Sequence, residues 1–207
     1  PGPLAKYRYT ASGYGDGNED KWLGVEDSVA AWHEYVFFTD NGGLLQCVNI
    51  NTLETVYALD VTDNSDSTIV LEEDPAANAL YLYTANSVDR QTGISNGLGK
   101  NFHRKIDALT GKVIWEKAWD AGVSNSTSTG GTLSTPHVGR GKISDLVIFN
   151  STLVPLTGDG AAQKGARLIA YYKDTGEEAW RYEQSAGYWS SPVVVYDEEG
   201  NAYVVQC

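Results

Sequence analysis

One nine-residue pattern occurs three times along the chain, and this repetition limits the fold more than any other feature of the sequence. Residues 107–115 (DALTGKVIW) and 172–180 (YKDTGEEAW) share a Thr-Gly pair and a terminal Trp. Residues 49–57 (NINTLETVY) are a degenerate copy, with Leu in place of Gly and Tyr in place of Trp. The three threonines are 58 and 65 residues apart. Such periods indicate repeated supersecondary units with loops beyond the ~40–45 residues of a bare four-stranded unit.

Short apolar segments accompany each copy and have the composition of β-strands, rich in Val, Ile, Tyr and Phe and bounded by Gly, Asp and Asn. We expect second strands at 35–38, 80–83, 146–149 and 202–205, and first strands at 27–30, 67–70, 134–138 and 190–194. Each Thr-Gly pair fits a tight hairpin in which Gly adopts a positive φ. The sequence contains no convincing amphipathic helix. It therefore predicts an all-β fold of four-stranded antiparallel units, with strands A to D in each.

The pattern resembles the repeat of pyrroloquinoline-quinone (PQQ) type β-propellers, whose signature is Ala-x-Asp-x-x-Thr-Gly-x-x-x-Trp. Two copies carry its positions, as Thr110, Gly111 and Trp115 and as Ala170, Thr175, Gly176 and Trp180. The resemblance implies that each four-stranded unit is a propeller blade. It extends over nearly the whole chain and is specific for the fold, whereas many non-enzymatic propellers share it, so the function is left open.

The resemblance also implies how neighbouring blades are joined. In that family the Trp lies against the Gly peptide and the small Ala of an adjacent blade, which only small residues allow. We therefore expect Trp115 and Trp180 to be buried between blades, with Tyr57 as a weaker counterpart. Lys105 and Cys47 stand where the signature has Ala, and we expect looser docking in those two blades.

The chain is expected to be a single β-propeller domain over residues 1–207. It reads as a late strand near residues 5–9, three full blades and the first two strands of a fourth. Because propellers typically contain four to eight blades, we expect the chain to be an incomplete segment of a larger propeller of seven or eight blades.

The charge of the chain excludes one class of partner. The net charge is −12 at pH 7 and the isoelectric point is about 4.5, whereas nucleic-acid binding requires basic patches. An acidic surface is otherwise commonly a solubility device. The sequence has no apolar run of the ~18 residues that a membrane-spanning helix needs. Cys47 and Cys207 fall on different blades and suggest no disulfide framework.

The two ends of the blades differ in loop length, which predicts a binding face. In a four-stranded meander the A–B and C–D turns lie at one end, and the B–C and D–A connections lie at the other. The long segments are all of the second kind: Asn86 to Asn101, Ser151 to Gly165, Ser12 to Gly24 and Asp120 to Thr132. Long loops in compact domains are commonly functional. The alternative is that Gly/Ser/Thr-rich stretches such as 122–131 are merely flexible.

Three side chains are candidates for contacts with a partner. Trp22 and Trp189 are the leading anchors, since Trp is enriched in interface hot spots. The alternative is that both rings close the tops of the blades. His137 lies on an innermost strand and would line the central channel, with a structural role as the alternative.

An acidic segment has the spacing of a calcium loop. Asp16, Asn18 and Asp20 alternate as oxygen ligands, and Asp27 takes the twelfth position in the pattern that suits this hard cation. Lys21 stands where the helix–loop–helix calcium motif needs Gly, so a solvated acidic loop is the alternative. The three histidines of the chain lack the spacing of zinc ligands.

Two functions are consistent with the sequence. The first is a non-catalytic extracytoplasmic platform, whether extracellular, on the cell surface or periplasmic, that binds a protein or a saccharide through its long loops. It would be similar to outer-membrane barrel-assembly lipoproteins and secreted PQQ-like repeat proteins. The second is a quinone- and calcium-dependent dehydrogenase whose cofactor site lies largely outside this segment. Such enzymes typically hold the quinone against a disulfide of adjacent cysteines, which this sequence lacks. We therefore expect no PQQ and no other cofactor, with calcium as the exception to test.

Overall fold

The regular structure of this chain is almost entirely β-strand. The computed structural model describes residues 24–89, 91, 94, 96–124, 128–156 and 164–207. These residues contain 14 strands, arranged as three four-stranded sheets and one two-stranded sheet. The single helical element described is a short 3₁₀ turn, Gly141–Ile143. Nothing helical in the described part of the chain has the length and hydropathy needed to span a bilayer.

The sheets follow one another along the chain, and we number them as blades. Blade 1 contains β1 (Ala30–Trp32), β2 (Tyr35–Thr39), β3 (Leu44–Asn49) and β4 (Glu54–Asp60). Blade 2 contains β5 (Val70–Asp74), β6 (Ala79–Ala85), β7 (Leu98–Asp107) and β8 (Val113–Gly122). Blade 3 contains β9 (His137–Val138), β10 (Leu146–Pro155), β11 (Lys164–Tyr172) and β12 (Glu178–Gln184). Blade 4 is represented by β13 (Val193–Tyr196) and β14 (Ala202–Val205).

Each blade is an antiparallel meander in which consecutive strands are neighbours. Repeated sheets of this kind are the blades of a β-propeller, so the predicted fold class is confirmed. Alternate side chains of one strand point to opposite neighbouring blades. Leu82 of β6 packs with Phe37 of blade 1, whereas Tyr83 packs with Phe149 of blade 3. The cores therefore lie between blades rather than within them. The total number of blades and the strand near residues 5–9 stay predictions, because the latter lies outside the described residues.

The expected second strands are confirmed as β2, β6, β10 and β14. The expected first strands are wrong in their bounds, because they begin three residues later, at Ala30, Val70, His137 and Val193. The residues before them are mainly polar and use their side chains in hydrogen bonds within and between blades instead of joining the sheet. Ser67 Oγ, for example, donates to the Ser134 carbonyl at 2.7 Å. Likewise, Thr39 Oγ1 donates to Asp27 Oδ2 at 2.6 Å.

The contact between blades 1 and 2, which we call seam 1/2, has an aromatic ring of one blade on a turn glycine of the next. Gly111 has φ +73°, and a Cβ at this position would lie 2.8 Å from the Tyr57 ring. The Tyr57 hydroxyl also donates to the Ala108 carbonyl at 3.0 Å. The eroded copy of the repeat therefore still makes the contact that the resemblance implies.

The contact between blades 2 and 3, seam 2/3, repeats this arrangement with the Trp of the full signature. A Cβ on Gly176 would lie 2.8 Å from the Trp115 ring, and Trp115 Nε1 donates to the Lys173 carbonyl at 2.8 Å. Trp115 is only 7% exposed. Trp180, by contrast, is half-buried against the core that blades 3 and 4 share, and no further Thr-Gly turn follows it in the sequence.

Lys105 makes a contact across seam 2/3, whereas the sequence predicts looser docking at this position. Its side chain is 4% exposed, and its ammonium group donates to the Lys173 carbonyl at 3.1 Å, the same oxygen that Trp115 binds. The ammonium also lies 3.7 Å from the centre of the Tyr81 ring, a cation–π contact. The longer side chain thus adds a contact between the blades where the signature has a small Ala.

Candidate binding face

The long connections of blades 2 and 3 converge at one end of the propeller, which we call the long-loop face. Two isolated bridges, Ser87 with Gly131 and Gly131 with Thr152, link the connections to one another. The expected loop bounds were too wide: β7 already begins at Leu98, β8 continues to Gly122 and β10 continues to Pro155. The reason is that β7 and β8 stay paired to their ends, with Leu98 opposite Gly122.

A short segment that we call the strap, Gly130–Gly131, crosses between the two blades. Gly131 exchanges two backbone hydrogen bonds with Thr152, at 3.0 and 2.8 Å. On the other side, Val88 N donates to the Gly130 carbonyl at 2.7 Å. This part of the Gly-rich stretch is therefore bonded on both sides, and the alternative of a merely flexible stretch does not apply to it.

Both residues of the strap must be glycine. A Cβ on Gly130 would lie 1.6 Å from the Gly122 carbonyl oxygen. Gly131 has φ +86°, and its Cβ would lie 2.8 Å from the Asn86 carbonyl oxygen. Side chains rarely adopt this φ, and a backbone oxygen cannot move away easily. Sequence reasoning missed the strap because its partners lie far away in the sequence.

A buried polar network lies beneath the strap and connects blades 2 and 3. His103 Nδ1 is 2.9 Å from the Tyr171 hydroxyl, and its Nε2 is 3.0 Å from Ser151 Oγ and 3.1 Å from Thr132 Oγ1. Ser151 Oγ donates to Asn101 Oδ1 at 2.6 Å. Burial, with the nearby Arg167 and Arg104, lowers the pKa of His103 to about 3. The imidazole is therefore neutral in the folded protein at neutral pH.

The corresponding end of seam 1/2 carries carboxyl groups instead. The Glu26 and Asp66 carboxyl groups are hydrogen-bonded to each other, and burial, then Glu26 and Asp89, raises the pKa of Asp66 to about 7. Asn41 Nδ2 donates to Glu26 at 3.0 Å, and Asn64 Nδ2 donates to Asp89 at 2.9 Å. Asp66 therefore holds a proton at mildly acidic pH.

Of the four predicted calcium ligands, only Asp27 is among the described residues. Its Oδ2 accepts hydrogen bonds from the hydroxyl and the backbone N–H of Thr39, and burial raises its pKa to about 6. Asp16, Asn18 and Asp20 lie outside the described residues. Within the described ranges, no three His, Cys, Asp or Glu side chains are grouped so that they could hold a metal ion. The calcium site stays a prediction.

Two of the three predicted anchors, Trp189 and His137, are among the described residues and have different surroundings. Trp189 is 64% exposed and lies beside blade 4, of which two strands are described. A Cβ on the nearby Gly187 would meet Thr152 Oγ1 at 2.8 Å and Trp189 Nε1 at 3.9 Å, so Trp189 lies close to the strap. His137 is half-buried and lies 3.3 Å from the Tyr196 hydroxyl, and burial, Arg140 and Lys173 lower its pKa. Trp22 lies outside the described residues.

No protein-family model and no curated protein matches the chain. Several solved structures are similar in fold. They include the quinohemoprotein alcohol dehydrogenase ADHIIG from Pseudomonas putida HK5, at 14% identity and a TM-score of 0.54 over 86% of this chain and 30% of that one. BamB from Moraxella catarrhalis has 14% identity and a TM-score of 0.53 over 97% of this chain and 48% of that one. Sqt1 from Saccharomyces cerevisiae has 11% identity and a TM-score of 0.53, over 87% of this chain and 42% of that one.

These similarities establish the fold and nothing finer. The chain spans less than half the length of each of these three proteins. A dehydrogenase and BamB have the same PQQ-like propeller fold, so the fold alone does not choose between the two functions that the sequence predicts. That choice depends on the residues of the face itself.

Proposed function

We propose that this chain is part of a non-catalytic, extracytoplasmic PQQ-like β-propeller that binds a protein or a saccharide through its long-loop face. The observation that carries the proposal is a face whose loops are bonded to one another and which bears Trp189. Trp189 is 64% exposed, and the neighbouring Thr152 belongs to the strap contacts. An aromatic anchor on a preorganised surface loses little conformational entropy on binding. The extracytoplasmic location rests on the resemblance of the repeat.

The buried groups of this face support binding rather than catalysis. The 3.0 Å contact of Ser151 Oγ with His103 Nε2 resembles a nucleophile with its base. However, Ser151 is 1% exposed and His103 is fully buried, so a substrate could not reach them. An imidazole with a pKa of about 3 is also a weak base. We assign the pair to the cohesion of seam 2/3.

The alternative function is a quinone-dependent dehydrogenase whose cofactor site lies largely outside this segment, and the cysteines of this chain do not supply that site. In the family that the repeat resembles, adjacent cysteines form a disulfide against the quinone. Cys47 is buried in β3, Cys207 is exposed, and both are free thiols. Absorbance titration with PQQ in the presence of calcium checks this reading. We expect no saturable spectral change, and a saturable one would favour the dehydrogenase.

Photo-crosslinking tests the binding face directly. A benzoylphenylalanine at position 189 should give a discrete adduct with a protein of the cell envelope or with an immobilised glycan. The matched control places the same group at position 114, because Ile114 is 41% exposed on the outer strand β8. Equal yields at both positions, or no adduct at 189 with either class of ligand, would rule out the long-loop face.

A further inference from the structure

Two grooves open on the opposite end of the blades, which we call the short-turn face because the A–B and C–D turns lie there. The first groove lies between blades 1 and 2 and has a volume of about 380 Å³. Its walls are mainly apolar and include Trp32, Pro75 and Leu109, the last of which is 37% exposed. A groove of this kind accepts an apolar side chain.

The second groove lies between blades 2 and 3 and has a volume of about 370 Å³. Five carboxylates and two ammonium groups line it: Glu72, Glu73, Asp74, Asp145, Asp174, Lys105 and Lys173. Its formal charge is therefore −3. Such a groove attracts cationic groups, and a low-dielectric wall strengthens the field within it.

The two lysines do not offer their charge to a ligand, because protein oxygens already hold them. Lys173 Nζ contacts Glu72 Oε1 at 2.5 Å and the Gly139 carbonyl at 3.2 Å. Lys105 Nζ donates to the Lys173 carbonyl and lies over the Tyr81 ring. Both lysines are at most 7% exposed. The carboxylates of Asp145 and Asp174, in contrast, are exposed to solvent at the rim.

The grooves are neighbours, because both are lined by Glu73, Asp74 and Pro75 at the turn between β5 and β6. We propose that the short-turn face binds a basic polypeptide segment, with an apolar side chain in the Trp32–Leu109 groove and a Lys or Arg in the Asp145–Asp174 groove. Complementary charge fixes the orientation of such a segment and speeds its association. The apolar groove supplies the contact that a free polyamine would lack. The proposal concerns a face that the long-loop platform does not use, so each can fail without the other.

Fluorescence anisotropy with the full chain and labelled (Ser-Leu-Lys)₃ tests the proposal. The double variant Asp145→Asn/Asp174→Asn should weaken binding about tenfold and reduce its dependence on salt. The matched control is Glu198→Gln/Glu199→Gln, which removes two exposed charges from the equivalent turn of blade 4. This control should bind the peptide as the wild type does.

The apolar groove is tested separately. Leu109→Ala should weaken binding about fivefold, since it removes apolar contact area, while Ile114→Ala removes an exposed aliphatic side chain elsewhere and should have no effect. A labelled (Ser-Ser-Lys)₃ peptide should bind more weakly than (Ser-Leu-Lys)₃. The proposal is overturned if the two double variants weaken binding equally, if the peptide without Leu binds as well, or if millimolar (Ser-Leu-Lys)₃ does not bind.

Discussion

Seams 1/2 and 2/3 have the same construction at the short-turn face and opposite chemistry at the long-loop face. At the short-turn face of each seam, an aromatic ring covers a glycine of the next blade, Tyr57 on Gly111 and Trp115 on Gly176. At the long-loop face, seam 2/3 holds a neutral buried histidine, whereas seam 1/2 holds a carboxyl pair that retains a proton. The comparison teaches that the repeat determines how blades dock, while unrelated residues determine how each seam responds to its surroundings.

The largest effect should come from removing the ring at the stronger seam. Trp115→Ala should lower the free energy of unfolding by about 3–5 kcal/mol, because it empties a buried contact and removes a hydrogen bond to the Lys173 carbonyl. Ile114→Ala is the matched control, because Ile114 is next to Trp115 in the sequence and its side chain is 41% exposed. Urea unfolding measures both. Equal midpoints for the two variants would show that the ring does not hold blades 2 and 3 together.

The strap offers the next largest effect. Gly131→Ala should cost about 3 kcal/mol, because it adds a steric conflict with the Asn86 carbonyl to the strain of a positive φ. Gly141→Ala has a similar φ, +59°, with open space around the new Cβ, so it should cost only about 1 kcal/mol. The difference between the two variants isolates the close approach of the strap. Equal losses would mean that the strap can move away without cost.

The two seams should respond to acid in opposite directions. Asp66 has its pKa raised to about 7 in the folded protein, so its contribution to stability is complete below about pH 4 and is lost as pH rises through 7. His103 has its pKa lowered to about 3. The unfolded chain therefore takes up a proton first, and stability is lost as pH falls below about 6.5.

Variants at these two sites separate the contributions. Asp66→Asn should be neutral at pH 4.5 and stabilising by roughly 1–2 kcal/mol at pH 7.5, a discounted value because the pair is partly open to solvent. His103→Gln should be most destabilising at pH 7.5, and its cost should shrink by about 2 kcal/mol by pH 5. Urea unfolding at three pH values measures both. A constant difference from the wild type at all pH values, for either variant, would contradict the assigned protonation states.

The sequence predicted what local spacing encodes and missed what depends on distant loops. The contact of Trp115 with Gly176 follows from a motif of a few residues, and the predicted second strands follow from apolar runs that reach into both neighbouring blades. The pair Glu26–Asp66 joins residues 40 positions apart, in polar segments with no pattern. The first strands were placed too early because Ser67 and its equivalents look like strand residues, although their side chains are used in hydrogen bonds outside the sheet, as in the contact of Ser67 with the Ser134 carbonyl.

The smallest effect tests whether Lys105 adds to seam 2/3 or merely fits there. Lys105→Ala restores the residue of the repeat signature and should cost less than about 1 kcal/mol. Trp115 Nε1 would still donate a hydrogen bond to the Lys173 carbonyl. In the wild type, burial disfavours the charged ammonium of Lys105 and lowers its pKa. The double variant Lys105→Ala/Trp115→Ala should be less stable than the sum of the single losses, because it alone leaves that buried carbonyl without a donor. A double-mutant cycle in urea measures the coupling. Strict additivity would show that the two donors do not share the carbonyl, and that Lys105 adds nothing to seam 2/3 beyond its contact with Tyr81 inside blade 2.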